Sequence, residues 1–140
     1  MQSGIIYTVL GAVSFGLWTV FHQQASTHIH NLFGSIIVSL TAVILGAILL
    51  FPQIKSVTYS SKGILFAVLG GICALAIDYF ALKSYSSGLA ISVSGPIIIG
   101  GSIAIATIIG FMLGEVITFA KVISLLLICL GAIILASQKM

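Results

Sequence analysis

The stretch "LFGSIIVSLTAVILGAILLF", Leu32 to Phe51, is twenty residues long and contains no charged side chain. As an α-helix it would extend about 30 Å, which is the thickness of the hydrocarbon core of a bilayer. Pro52 follows, and it cannot continue the helix because it has no amide hydrogen. The stretch therefore predicts a transmembrane helix, and it decides the fold class.

Four further apolar segments flank this one, at residues 4–22, 63–82, 88–113 and 118–136. Lipid offers the backbone no hydrogen-bond partner, and no ten-residue alternating pattern indicates a barrel, so each span is expected to be a helix. The connections are short, so consecutive helices are expected to be antiparallel neighbours. We predict one all-α integral membrane domain, a bundle of five transmembrane helices. Glycines such as Gly131 are expected to let helices approach closely.

The composition excludes several classes of protein. Hydrophobic residues make up 60% of the chain and charged residues 5%, whereas a water-soluble globule carries roughly a quarter charged residues. The five lysines are scattered singly, which excludes a basic stripe for nucleic acid. No nucleophile–base pair, phosphate loop or metal spacing is present, and a His-x-His in a short loop is weak evidence for a metal. The sequence predicts neither an enzyme nor a cofactor or metal site.

The lysines give only a slight bias in membrane orientation. With five spans the two termini lie on opposite sides, and the N-terminal side receives three lysines against two. By the positive-inside rule this favours a cytoplasmic N-terminus, but so small a difference equally permits insertion both ways round. The lysines of the N-terminal side are Lys55, Lys62 and Lys121, and those of the other side are Lys83 and Lys139.

Asp78 is an acid within the third apolar segment. A carboxylate inside a membrane helix costs on the order of 2.5–3.5 kcal/mol, so it usually faces a cavity or a partner. One interpretation is a site that couples a proton or balances a cation. The other is that Asp78, near the predicted end of its helix, is hydrated or meets Lys83 there.

A stripe of polar and aromatic residues runs along the first helix at helical spacing: Tyr7, Gly11, Ser14, Trp18 and His22. In lipid such a face is expected to point inward and to line a cavity, where an indole can hold a cation. Tyr7 and Trp18 could instead be interfacial residues, with Ser14 a contact between helices.

Two other positions stand out. Pro96 interrupts the fourth segment and deprives the Ser92 carbonyl of its helical partner, so Ser92, Ser94 and Pro96 are expected to line a binding site or form a hinge. A kink shaped only for packing is the alternative. Glu115 precedes the fifth helix, where the helix dipole favours its charge, and we interpret it as structural.

Four stretches in this order resemble a known family. They are "SFGLWTVF" in the first helix, "DYFALKSYSSGLAISVSGPI" from Asp78 to Ile97, "GFMLGEVIT" from Gly110, and "LLLICLGAIIL" in the last helix. Together they resemble one EamA-type half of the drug/metabolite transporter superfamily. The last three helices are also similar to those of the small multidrug-resistance proteins. Those proteins carry a glutamate in their first helix, where this chain has Leu17 and Trp18.

The resemblance implies half of an inverted-repeat transporter. Most members of the family have ten helices in two five-helix halves of opposite orientation, so this chain is expected to pair with an antiparallel copy of itself or with a second half-length protein. The family moves small metabolites by alternating access. The resemblance thus implies transport of a small polar or amphipathic solute across the plasma (inner) membrane.

Two alternatives to solute transport stay open. A membrane scaffold or assembly subunit would have no water-accessible site midway along the first and fourth helices. A flippase for a lipid carrier would share the same fold.

Overall fold

The chain is all-α. The computed structural model describes residues 2–137, with side chains from residue 4 onward, so Lys139 lies outside the described residues. Over that range it has five α-helices and no strand: α1 (Gln2–Ser26), α2 (Asn31–Leu50), α3 (Ser61–Ser86), α4 (Ile91–Met112) and α5 (Phe119–Ser137). Each helix is long and apolar enough to cross a membrane. The predicted fold class is confirmed, and the chain is a multi-pass membrane protein.

Two helices extend beyond their predicted ends. α1 ends at Ser26 rather than at His22, and α3 ends at Ser86 rather than at residue 82. Both terminal serines donate to carbonyls of their own last turn, Ser26 Oγ to Gln23 at 2.7 Å and Ser86 Oγ to Lys83 at 3.0 Å. The polar residues therefore mark where the apolar stretch stops, while the helix itself continues.

The two prolines have different consequences. The α-helix α2 ends at Leu50, as Pro52 predicted, and Pro52 lies in a short 3-10 helix, Phe51–Ser56. By contrast α4 continues through Pro96 without a break, and the kinked or loosened turn expected there stays a prediction. Pro96 is in the second turn of α4, and its missing amide removes one backbone hydrogen bond, the one to the Ser92 carbonyl. A membrane helix tolerates the loss of a single such bond.

The chain divides into two compact units, Met1–Ser87 and Gly88–Met140. In the first unit α3 is central: α1 and α2 each pack along it and contact each other much less. Asn31 Nδ2 donates to Ser86 Oγ at 3.0 Å, which joins the start of α2 to the end of α3, as in an antiparallel pair. In the second unit α4 packs on α5. The single five-helix domain stays a prediction.

Two helices, α4 and α5, approach each other closely at a glycine, as expected for a membrane protein. A Cβ on Gly100 of α4 would lie 3.3 Å from Ile128 Cγ2 and 3.4 Å from Ala132 Cβ, so this glycine lets α5 come near. A Cβ on Gly131 would meet nothing within 4 Å. The packing role expected of Gly131 is therefore not found within the described part of the chain.

The turn after α4 depends on Gly114. Its φ is +92°, and the amide of Glu115 donates to the Gly110 carbonyl at 3.0 Å, while that of Gly114 donates to Phe111 at 3.1 Å. These two bonds define a Schellman motif, which ends a helix with a residue in the left-handed region. Any side chain at Gly114 would be strained there.

We expect Gly114→Ala to destabilise the protein by about 1 kcal/mol, because alanine is strained at positive φ. Gly46→Ala is the matched control, since Gly46 lies within α2 with nothing within 4 Å of an added Cβ. There alanine is expected to stabilise the helix by up to about 1 kcal/mol. Thermal unfolding in detergent measures both, and equal effects of the same sign would contradict the assignment of the turn.

Candidate functional site

Three side chains meet where α1 packs on α3: Trp18, His22 and Asp78, called here the Asp78 cluster. Trp18 Nε1 donates to Asp78 Oδ1 at 3.1 Å. His22 Nε2 lies 3.1 Å from the same oxygen, and His22 Nδ1 lies 3.0 Å from the Trp18 carbonyl oxygen. One carboxylate oxygen of α3 therefore holds two side chains of α1.

The Asp78 cluster lies inside the apolar spans. His22 is 3% exposed and Asp78 6% exposed. Asp78 is about 12 Å along the helix axis from the end of α3, by the rise per residue. Buried acids are stable in such surroundings only with hydrogen-bond or charge partners, and the indole and imidazole nitrogens supply them here.

The alternative interpretation of Asp78, as a group that is hydrated at a helix end or meets Lys83 there, is wrong. α3 continues to Ser86, and Asp78 is buried against α1. The ammonium of Lys83 instead lies 5.7 Å from the centroid of the Tyr79 ring, a cation–π contact. The acid and the lysine therefore belong to different surroundings.

Aromatic rings order the α1 side of the cluster. The Trp18 ring is stacked on Phe15, with centroids 4.9 Å apart, and contacts the His22 ring, with centroids 3.9 Å apart. Residues three and four apart share one helix face, which explains how Phe15, Trp18 and His22 form a column. The column fixes the position of the indole N–H, which donates a hydrogen bond to Asp78.

A groove of about 510 Å³ lies between α1 and α2 and adjoins the cluster. Its volume is within the range of small-molecule sites. Most of its wall is apolar, and polar groups come from Ser14, Trp18, His22 and Thr41. The remaining lining residues are Leu17, Phe21, Ala25, Ile29, Gly34, Ile37, Val38 and Leu82.

The predicted stripe on α1 is only partly at this groove. Ser14 and Trp18 line the groove, and the Ser14 hydroxyl donates to the Leu10 carbonyl at 2.9 Å. Tyr7 is 73% exposed and is not among the lining residues. The structure thus brings Ser14, Trp18 and Asp78 to one region of the first unit and leaves Tyr7 apart.

The remaining predicted residues belong to the second unit. Ser94 is buried, Pro96 is half-buried and Ser92 is exposed in α4. Their role in binding a solute stays a prediction. Glu115 forms an exposed ion pair with Lys121 at 3.3 Å, and its carboxylate lies against Gly110. Exposed ion pairs contribute little to stability, about 0–1 kcal/mol, so the pair of Glu115 with Lys121 is expected to stabilise the turn only slightly.

His22 was expected only to line a cavity, and its contact with Asp78 was not predicted from the sequence. It belongs to the predicted stripe, but its partner is 56 residues away in the sequence, and no local spacing identifies such a pair. Across residues 2–137 no three His, Cys, Asp or Glu side chains are grouped so that they could hold a metal ion.

Comparison with known proteins adds no relative. No protein-family model, no curated protein and no solved structure matches this chain. The class that fold and site define is a multi-pass membrane protein with a buried acid–histidine pair beside a groove.

Proposed function

We propose that this chain is one EamA-type half of a drug/metabolite transporter in the plasma (inner) membrane. It moves a small polar or amphipathic metabolite by alternating access. The observation that carries the proposal is the Asp78 cluster, because a buried acid in a membrane span is costly and usually serves an ion or a substrate. The motifs that resemble the family support the same conclusion.

The groove supports an amphipathic rather than a purely polar solute. Its walls are mostly aliphatic, and its few polar groups lie along α1 and at Thr41 of α2. An apolar portion of the solute would lie between α1 and α2, while a polar portion would face Ser14 and His22. Asp78 would then couple a proton to movement through its contact with α1.

Uptake into proteoliposomes tests the proposal. The purified chain would be given a defined mixture of amino acids, sugars and amines, with and without a pH gradient, and the accumulated solutes would be measured by mass spectrometry. We expect at least one solute to accumulate above the level of protein-free liposomes, and more so with the gradient. No accumulation of any solute would favour the scaffold role.

The partner of the proposed half is expected to be an antiparallel copy of the same chain. Two halves of opposite orientation are the usual arrangement of inverted-repeat transporters, and the lysine bias of three against two permits dual insertion. Tags on either terminus should therefore be detected on both sides of the membrane. A single orientation would instead require a second half-length protein.

A further inference from the structure

The imidazole ring of His22 lies between two oxygen atoms. Nδ1 is 3.0 Å from the carbonyl oxygen of Trp18, and Nε2 is 3.1 Å from Oδ1 of Asp78. A carbonyl oxygen can only accept a hydrogen bond, and an ionised carboxylate likewise only accepts. A neutral imidazole has one N–H and one lone pair, so it cannot donate to both oxygens.

Two proton arrangements satisfy every one of these contacts. In the first, both ring nitrogens carry a proton and Asp78 is ionised, so His22 donates twice and the pair has no net charge. In the second, the proton on Nε2 has moved to Oδ1, which then donates to Nε2, while Nδ1 still donates to the Trp18 carbonyl. Both arrangements hold the same number of protons, and both let Oδ1 accept from Trp18 Nε1.

Removing one proton breaks this balance. With an ionised Asp78 and a neutral ring, a nitrogen lone pair must face an oxygen at about 3 Å, either that of Trp18 or that of Asp78. The pair also acquires a net negative charge in a buried position, which is unfavourable. All three contacts of the imidazole and the carboxylate are therefore satisfied only when the pair holds the proton.

We infer that His22 and Asp78 form a single site, beside the groove, that binds one exchangeable proton. The use of the site in transport rests on the proposed function, whereas the proton binding does not. The proton is exchanged with water through the groove, which His22 lines. In such a site His22 is as necessary as Asp78 for binding the proton.

Few other titratable groups surround the pair. α2, which packs on α3, has none between Asn31 and Leu50. On α3 the neighbours are Tyr79, Lys83 and Tyr85, of which Lys83 lies over the ring of Tyr79. On α1 the other titratable side chain in the described range is Tyr7, about four turns from His22.

The fluorescence of Trp18 gives a direct measurement, because it is the sole tryptophan of the chain. Its ring lies 3.9 Å from that of His22, and a protonated imidazole quenches an adjacent indole. The full chain in detergent would be titrated between about pH 4 and about pH 9, a range that spans ordinary carboxyl and imidazole titration. We expect the emission to change with pH in one transition with the slope of a single proton, and to rise with pH where the proton is held as an imidazolium.

The variants separate His22 from the other histidines. His22→Gln should remove the transition, whereas His28→Gln and His30→Gln, at exposed positions, should keep the wild-type profile. Asp78→Asn should also remove it, because the amide can donate to Nε2 and a neutral ring is then satisfied. Far-UV circular dichroism checks that each variant keeps its helices. If His22→Gln does not fold, the result for Asp78→Asn decides the test.

Several results would overturn the inference: a flat wild-type profile, a transition retained in His22→Gln, or a slope of two protons. The outcome is independent of transport. A wild-type transition without uptake of any solute would reject the transporter and keep the proton site. Uptake of a solute without the fluorescence transition would keep the transporter and reject the proton site.

Discussion

Uptake that depends on a pH gradient is expected to fall to the level of protein-free liposomes in Asp78→Asn. One oxygen of Asp78 is hydrogen-bonded to both Trp18 and His22, and Asp78 is the buried acid of the described spans. An amide has nearly the same shape but does not change its protonation state at ordinary pH. Exchange of a solute in the absence of a gradient should persist if Asp78 only couples the proton.

Glu115→Gln is the matched control for this variant. Glu115 is the other acid of the chain, its side chain is 62% exposed, and its pair with Lys121 lies at the turn before α5. Its neutralisation should leave uptake close to that of the wild type. Equal gradient-driven uptake by Asp78→Asn and the wild type would remove Asp78 from the coupling mechanism.

Leu82→Ala is expected to destabilise the protein by about 2–5 kcal/mol, as other large-to-small changes in tight packing do. Leu82 is 1% exposed, and its Cδ1 would lie 2.9 Å from a Cβ added at Gly34 of α2. It therefore fills the space between α3 and the start of α2. In lipid such packing is a main source of helix association, since burial from water contributes little between membrane helices.

Leu69→Ala on the same helix is the control for Leu82→Ala. Leu69 is 49% exposed, so its truncation leaves little unfilled space inside the chain. Unfolding of both variants in mixed micelles, followed by circular dichroism, measures the difference. Similar losses of stability for the two would mean that Leu82 is not a packing centre of the first unit.

The helices could be predicted from the sequence because long apolar runs have few other solutions in a bilayer. Each run gave a helix, and the α-helix α2 ended at Leu50, two residues before Pro52. The ends of α1 and α3 were placed too early, because polar residues there were taken to leave the helix. In the structure Ser26 and Ser86 bond to their own helical carbonyls instead.

The site could be predicted only in part. The cost of a charge in lipid singled out Asp78, and helical spacing placed Trp18 and His22 on one face. Which of them meets Asp78 depends on the rotation and depth of α1 relative to α3, and local sequence does not encode these quantities. The same reason explains why the close approach of α4 to α5 occurs at Gly100, while Gly131 has no near neighbour in the described range.

The short connection between α1 and α2 limits how the groove can change shape. Only residues 27–30 separate the two helices, and both are supported by α3 rather than by each other. The end of α1 and the start of α2 are thus held close together, whereas their other ends are not connected directly. We therefore expect any change in the width of the groove to be largest at the opposite end, toward Gly4 and Leu50, and smallest near His22 and Asp78.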